Sequence, residues 1–451
     1  MFQNESNKLN HIMQNNLIDK QLVDTTMAQC GVSNLDDASI RDTVKIANLL
    51  EKATGEKFIR MEMGVPGLAP SRIGTEAEIE ALKHGVAQFY PMLEGYPVLS
   101  EEASRFVKNF MDVDIRPEGI IPTVGAMQAS YVAFMALTEC HKGKDTILFI
   151  DPGFPVQKTQ LEVIGKPYQT FDIYEYREEK LEAKLREYLD RGNIAGIVYS
   201  NPNNPSWVCL TDFELQVIGK LATEYDTIIL EDLAYFAMDF RKDLSHPGKA
   251  PFQPTVAKYT DNYIFMISSS KLFSYAGQRL GLLCISDALF HKKYEHLKER
   301  YKADKLGYTI TYKLIYTQTS GTAHSPQYAV AVLKAANEGR INILTDVREY
   351  GKRAEIMKTL YKNAGFKVVY DKDGHEDVAD GFYFTIYYPG MTGAELAKEL
   401  LYYGISSITL KGCGSTREGL RACVSQVGLD QMDTLKDRIE RFAKDHTPIE
   451  S

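Results

Sequence analysis

Lys271 stands in SSSKLFSYAGQRLG (268–281), a run of small residues directly after the apolar stretch YIFMI, with Arg279 eight positions on. A solvated surface lysine needs no such setting. A lysine confined at the end of a buried strand can lose its proton near neutral pH, because burial and nearby positive charge both disfavour the ammonium form. It can then act as a nucleophile or a base. Three more polar stretches follow apolar runs. EDLAY (231–235) follows TIIL and carries Asp232 and Tyr235; NPNNPSW (201–207) follows IAGIVYS and carries Asn204; DPGFP (151–155) follows DTILFI and carries Phe154. PTVGAMQAS (122–130) reads as a glycine turn opening a helix. The free N–H groups of such a helix start suit an anion.

These residues need elements to hold them. From about residue 100 the chain alternates helical patterns with short apolar runs: DTILFID (145–151), IAGIVYS (194–200), TIILED (227–232), YIFMISS (263–269) and LGLLCIS (280–286). The runs are rich in Ile, Val and Leu on both faces, as strands buried on two sides must be. Strand and helix in alternation predict an α/β fold, a mostly parallel sheet covered by helices on both faces. From about 340 the strands become fewer and less apolar, as in KVVYD, GFYFTIYY, SSITLKG and GLRACVS, after the long helical pattern NILTDVREYGKRAEIMKTLYKNAG. The expected organisation is a large domain over 75–340 and a smaller α+β domain over 341–451. Residues 25–74 are expected to pack with the small domain, and 1–24 to form a flexible arm.

In open α/β sheets ligands bind beyond the carboxyl ends of the strands. One rim would therefore collect a lysine, an aspartate, a tyrosine, an asparagine, an aromatic ring, an arginine and an anion nest. That set suits an anionic, aromatic, carbonyl-bearing cofactor, and pyridoxal 5'-phosphate has those properties. At this point the sequence resembles the class I/II aminotransferases, enzymes of pyridoxal-phosphate fold type I. SSSKLFSYAGQRLG resembles the family's S-x-S-K-x-x-x-x-x-G-x-R-x-G. NPNNPSW resembles N-P-N-N-P-T-G, and EDLAY resembles D-x-A-Y. FYPMLEGYPVLSEEASRF resembles the Y-x-x-x-x-G-x-x-x-L-R segment, and GLRACVS the terminal arginine motif. The resemblance spans roughly residues 60 to 425.

What the resemblance implies is specific. Lys271 would hold the cofactor as a Schiff base and move the proton at the substrate Cα. Asp232 would face the pyridine nitrogen and keep it protonated. Tyr235 and Asn204 would hydrogen-bond the phenolic oxygen. Arg279, Ser268, Ala126 and Met127 would hold the phosphate, which carries close to two negative charges. Phe154 would stack on the ring, against the alternative of an ordinary core aromatic. Arg421 would clamp the substrate's α-carboxylate, and Gly64, in MEMGVPG, would let backbone approach the substrate. Tyr90 matches a tyrosine that reaches the phosphate of the other subunit, which implies a homodimer with shared active sites. The implied reaction is transamination between an L-amino acid and a 2-oxo acid by a ping-pong mechanism. A carbon–sulfur β-lyase or a decarboxylase would use the same residues on the same fold.

The chain departs from the family at Trp207, its single tryptophan, where glycine is usual. Trp207 either reshapes the pocket beside Asn204 or packs beneath it. Arg72 either pairs with an acidic substrate side chain or is a surface arginine, and 301–325 does not align.

Other classes fit less well. The chain has 451 residues, 44% hydrophobic and 25% charged, with a net charge of −8. Nucleic-acid binding is not expected without a basic face. A pyridoxal-phosphate-sensing regulator would carry a basic recognition helix ahead of the matched region, and none is evident. No apolar run approaches the roughly 20 residues of a membrane helix, and no phosphate-binding glycine motif of a nucleotide enzyme is present. Six cysteines without a C-x-x-C pair and nine histidines without metal spacing predict free thiols, no metal site and a cytoplasmic location.

Overall fold

The computed structural model describes residues 15–448. Seven strands form one sheet: β1 (Ile120–Val124), β2 (Thr146–Asp151), β3 (Tyr168–Asp172), β4 (Ile194–Ser200), β5 (Ile228–Leu233), β6 (Tyr263–Ser268) and β7 (Leu280–Ile285). Their order is β1-β7-β6-β5-β4-β2-β3. The pairs from β3 through β6 are parallel, and β7 runs antiparallel to both its neighbours. The mostly parallel α/β sheet is therefore as expected.

Alternation along each strand feeds two separate cores. Ile147, Phe149, Val198, Leu230 and Met266 pack with Ala129, Val132 and Leu137 on one face. Leu148, Ile197, Ile229, Phe265 and Ile267 pack with Phe106, Leu215 and Ile218 on the other. Both faces are covered because both are apolar. Register sets the rim: Ser200 lies level with Asp232, and Asp232 with Met266. The loops after β4, β5 and β6 thus leave the sheet together.

Two strands escape the apolar pattern. β1 contains Pro122, which offers no N–H to a ladder and belongs on an edge strand; β1 is an edge. β3, YQTFD, is half polar and forms the opposite edge.

A second, antiparallel sheet has the order β10-β11-β9-β8, from β8 (Lys367–Val368), β9 (Tyr383–Tyr387), β10 (Ile408–Thr409) and β11 (Leu420–Cys423). Near it Ile59–Arg60 pairs in parallel with Ile405–Ser406. The expected flexible arm over 1–24 is corrected over its described part. Leu17 and Ile18 donate backbone N–H bonds to Tyr402 O at 2.8 and 2.9 Å, and a helix begins at Lys20 behind an Asp19 cap. Ile18 and Val23 are apolar and fully buried, which ties the segment down. Residues 1–14 of that expectation lie outside the described residues.

The two sheets are fastened by specific contacts. Asp373 accepts from Arg177 Nη2 at 3.0 Å and from Arg241 Nη2 at 2.7 Å. Trp207, in the loop after β4, is fully buried against Gly381, which precedes β9. A Cβ at Gly381 would sit 2.1 Å from the indole. The indole is enclosed and rigid, so Gly381→Ala should overpack this junction and lower stability by about 1–3 kcal/mol, read as a lower urea midpoint. An unchanged midpoint would contradict the close packing.

Candidate active site

A cavity of about 860 Å³ opens at the rim where β4, β5 and β6 end, and the small sheet closes its other side. Gly64, Ala126, Met127, Phe154, Asn204, Asp232, Tyr235, Ser268, Lys271, Arg279 and Arg421 all line it. Tyr90 does not: it is 89% exposed on the outer surface. Arg72 is also outside, paired with Glu76 at 2.9 Å in solvent. No residue of 301–325 lines the cavity. Among the described residues no cluster of metal-ligating side chains occurs, and all six cysteines are free thiols.

Lys271 is carried by a single turn, Ser269–Leu272, capped by Ser268 Oγ, which accepts from Ser270 N–H at 3.1 Å. Its Nζ donates to Gly64 O and lies 5.5 Å from the centre of the Phe382 ring. Burial is the main force that lowers its pKa to about 8, with Arg421 and Arg279 adding positive charge. Gly64 has a steric reason to be glycine: a Cβ there would fall 2.0 Å from Tyr383 Oη.

Asp232 is the penultimate residue of β5 and is 7% exposed. Its Oδ2 accepts from Gln157 Nε2 at 2.9 Å and its Oδ1 from Ala234 N–H at 3.0 Å. Among the described residues no cation lies within ion-pair distance of it. Burial raises its pKa to about 6.

Arg421, on β11, is 1% exposed. Its Nη1 donates to Asn204 Oδ1 at 3.1 Å, its Nη2 to Glu62 O, and its guanidinium lies 4.6 Å from the centre of the Tyr383 ring. Its buried Nε has no partner. Tyr235 Oη and Tyr383 Oη share a hydrogen bond of 2.7 Å. Burial pushes both phenols up, so both stay neutral.

Arg279 lies across the start of the Gly125–Leu137 helix. A Cβ on Gly125 would come within 2.4 Å of its Nη2, and Gly125 has φ +68°, so glycine is required twice over. Ala126 and Met127, in the first turn, have no N–H acceptor within the helix. An anion held here would meet a guanidinium and free N–H donors together.

Trp207 resolves to the second of its two readings. Its ring packs beneath Tyr235 and Tyr383, at 5.4 and 6.1 Å between centres, and stays out of the cavity. Sequence reasoning misses four contributors. Gln157 stands just past the DPGFP loop, and its role becomes visible only once its helix folds back onto β5. Tyr383 is hidden in GFYFTIYY, which reads only as a strand. Cys423 adjoins Arg421 and Lys271 from β11. The segment Asp36–Arg41 forms the cavity's outer lip, and no local pattern marks it.

Comparisons with known proteins agree with this geometry. The family model described as aminotransferase class I and II matches residues 57–439. An aspartate aminotransferase of Pyrococcus horikoshii is 30% identical over 243 residues, covering 53% of this chain and 59% of that protein. A probable aspartate aminotransferase of Methanocaldococcus jannaschii is 23% identical over 360 residues, covering 73% and 87%. Among solved structures, an alanine aminotransferase from Pyrococcus furiosus superposes with a TM-score of 0.73 at 22% identity, over 90% of this chain and 97% of that one. An aspartate aminotransferase from Thermotoga maritima gives 0.72 at 18%, over 93% and 99%. These two are likenesses of fold.

The buried cation at Lys271 has a measurable cost. Its pKa is lower folded than unfolded, so the folded protein releases this proton first, and stability from this group rises as pH climbs from about 8 towards 10.5. In the ligand-free protein, Lys271→Met should therefore be more stable than wild type at pH 7, by up to about 3 kcal/mol. The advantage should shrink across that window, as followed by urea unfolding at several pH values. A difference independent of pH would contradict a depressed Lys271.

Proposed function

Because the chain belongs to the aminotransferase class I and II family, we propose that it transfers an amino group between an L-amino acid and a 2-oxo acid, with pyridoxal 5'-phosphate as cofactor. The observation that carries this reading is Asp232, a carboxylate buried at the cavity floor with two hydrogen bonds and no cationic partner among the described residues. A buried anion of this kind calls for a cation. The other lining groups fit the rest of the cofactor: Arg279 with the Ala126 and Met127 N–H groups and Ser268 for the phosphate, Tyr235 and Asn204 for the phenolic oxygen, Phe154 for the ring face, and Lys271 for the carbonyl carbon. When bound, the cofactor supplies an electron sink for negative charge formed at the substrate Cα.

The protein's own residues do the remaining work. Burial lowers the Lys271 pKa to about 8, so its Nζ gives up a proton far more readily than a solvated lysine does. Lys271 would take the proton from the substrate Cα and return it, across the nitrogen, to the former carbonyl carbon of the cofactor. Arg421 binds the substrate's α-carboxylate as a bidentate fork, exchanging its bond to Asn204 for the ligand. Gly64 leaves the space that a side chain would fill beside Lys271. The Tyr235–Tyr383 pair keeps two neutral hydroxyls at the phenolic oxygen. Release of the oxo acid before the second substrate binds gives ping-pong kinetics.

We extend the proposal to the assembly and its setting. Tyr90, exposed on one subunit, reaches the phosphate site of its partner in a homodimer with shared active sites. The chain divides near 340 into a large domain over 75–340 and a small one over 341–451, with 25–74 joined to the latter through the Ile59–Arg60 pairing. The enzyme works in the cytoplasm; free thiols are compatible with a reducing compartment, and no helix among the described residues is long and apolar enough to cross a membrane.

The test is a single half-reaction. Stoichiometric enzyme loaded with pyridoxal 5'-phosphate is mixed with one amino acid at a time and no acceptor. Transamination predicts about one equivalent of 2-oxo acid and loss of the visible absorption band, reversed by a second oxo acid, and none of this in Lys271→Ala. Pyruvate with ammonia in repeated turnovers, or carbon dioxide, would overturn it in favour of the lyase or decarboxylase.

A further inference from the structure

Glu78 is a buried carboxylate outside the cavity, on the Arg72–Lys83 helix and only 5% exposed. Three neutral donors hold it. Its Oε2 accepts from Tyr275 Oη and from Gln278 Nε2, the latter at 3.0 Å, and its Oε1 accepts from Ser325 Oγ at 2.9 Å. Among the described residues no cation lies within ion-pair distance of it, so these bonds alone offset its burial. A structural glutamine would make weaker bonds at the same place; a carboxylate makes strong ones.

Two of the three donors stand in one loop, the loop that joins Lys271 to Arg279. Its base is closed by Tyr275 N–H, which donates to Ser269 O at 3.1 Å, and by Ser269 Oγ, which donates to Leu280 O at 2.6 Å. Its far end has less support. Gly277, Gln278 and Arg279 are exposed, and a Cβ on Gly277 would meet nothing within 4 Å. Among the described residues the Arg279 guanidinium makes one hydrogen bond, from Nη1 to Ala276 O at 2.9 Å, inside the same loop. Ser274 and Arg279 both adopt the left-handed conformation, with φ +50° and +53°. Residues other than glycine keep that conformation where the surrounding structure holds them in it. Apolar packing does so incompletely here: a cavity of about 50 Å³ separates Phe273 and Tyr275 from Gly74, Val330 and Leu333. Glu78 supplies the missing restraint through Tyr275 and through Gln278, the immediate neighbour of Arg279. Ser325 takes the other oxygen and fixes the rotation of the carboxylate.

We propose that Glu78 is a positioning residue for the phosphate end of the site: by holding Tyr275 and Gln278 it sets where Arg279 meets the start of the Gly125–Leu137 helix, and so how tightly a phosphate is bound. The inference rests on the pyridoxal 5'-phosphate reading, in which Arg279 takes the phosphate. Glu78 itself touches neither cofactor nor substrate.

The experiment measures binding of pyridoxal 5'-phosphate, and of pyridoxal, which lacks the phosphate, to the full-length protein stripped of cofactor, by the absorption of the bound aldehyde. Wild type is compared with Glu78→Ala, Glu78→Gln, Tyr275→Phe and Glu76→Gln, the last an exposed carboxylate on the same helix that pairs with Arg72. Urea unfolding of each protein is recorded alongside. Loss of hydrogen bonds to a charged group predicts that Glu78→Ala weakens pyridoxal 5'-phosphate binding by roughly tenfold to a hundredfold and leaves pyridoxal binding nearly unchanged. Glu78→Gln, whose amide oxygen still accepts, should keep part of the preference for the phosphate. Tyr275→Phe should lose part of it, and Glu76→Gln none. An equal loss for both ligands, or a lower urea midpoint with the preference for the phosphate intact, would overturn the positioning role. Tyr275→Phe removes a single hydroxyl from the other side of the same bond, so it decides the question even where Glu78→Ala fails to fold. Wild type that binds pyridoxal 5'-phosphate no more tightly than its variants do overturns this inference alone. Wild type that binds none at all overturns the cofactor reading, and this inference with it.

Discussion

The site depends on one costly arrangement: a carboxylate near the end of a central strand, out of water, with no cation within ion-pair distance among the described residues. Asp232 is kept there by Gln157 and the Ala234 N–H. Those bonds offset part of its desolvation, and burial still raises its pKa to about 6. At neutral pH the folded protein carries the remaining cost, and a cation delivered to the carboxylate relieves it. The rest of the cavity serves to deliver that cation in one orientation. Arg279 and the start of the Gly125–Leu137 helix fix one end of a ligand, and Lys271 waits on the adjacent strand end.

The second sheet contributes the other half of the problem, a buried cation. Arg421 is 1% exposed and has an unpartnered Nε. Its remaining contacts are to neutral groups: Asn204, the Glu62 carbonyl and the face of Tyr383. Asp232 and Arg421 are thus under-compensated charges of opposite sign on opposite walls, and the protein keeps them from each other. A ligand with a cationic ring at one end and a carboxylate at the other would satisfy both, and the geometry is set before it arrives. Trp207 stiffens this arrangement from below, since Tyr235 and Tyr383 both rest on it.

The large sheet was legible because burial on both faces writes continuous apolar runs, and the polar residues just past each run had to share a rim. Lys271, Asp232, Asn204 and Phe154 follow from that rule, and they line one cavity. The edge strands were not legible, because edges tolerate proline and polar residues and lose the apolar signature. Tyr383 and Gln157 were hidden for another reason. Their significance lies in contacts across 148 and 75 positions of chain, to Tyr235 and Asp232, and no local spacing carries such information. The segment Asp36–Arg41 is hidden likewise, since it borders the cavity beside residues more than 190 positions away such as Asp232 and Lys271.

The most direct test of the account is the protonation state of the ligand atom that faces Asp232. Pyridoxal 5'-phosphate labelled with 15N in its ring would be bound to wild type and to Asp232→Asn, and its nitrogen resonance recorded at neutral pH. A protonated ring nitrogen in wild type and a neutral one in the variant is the predicted result. An unprotonated nitrogen in wild type, or the same resonance in both proteins, would contradict the claim that this buried carboxylate organises the site.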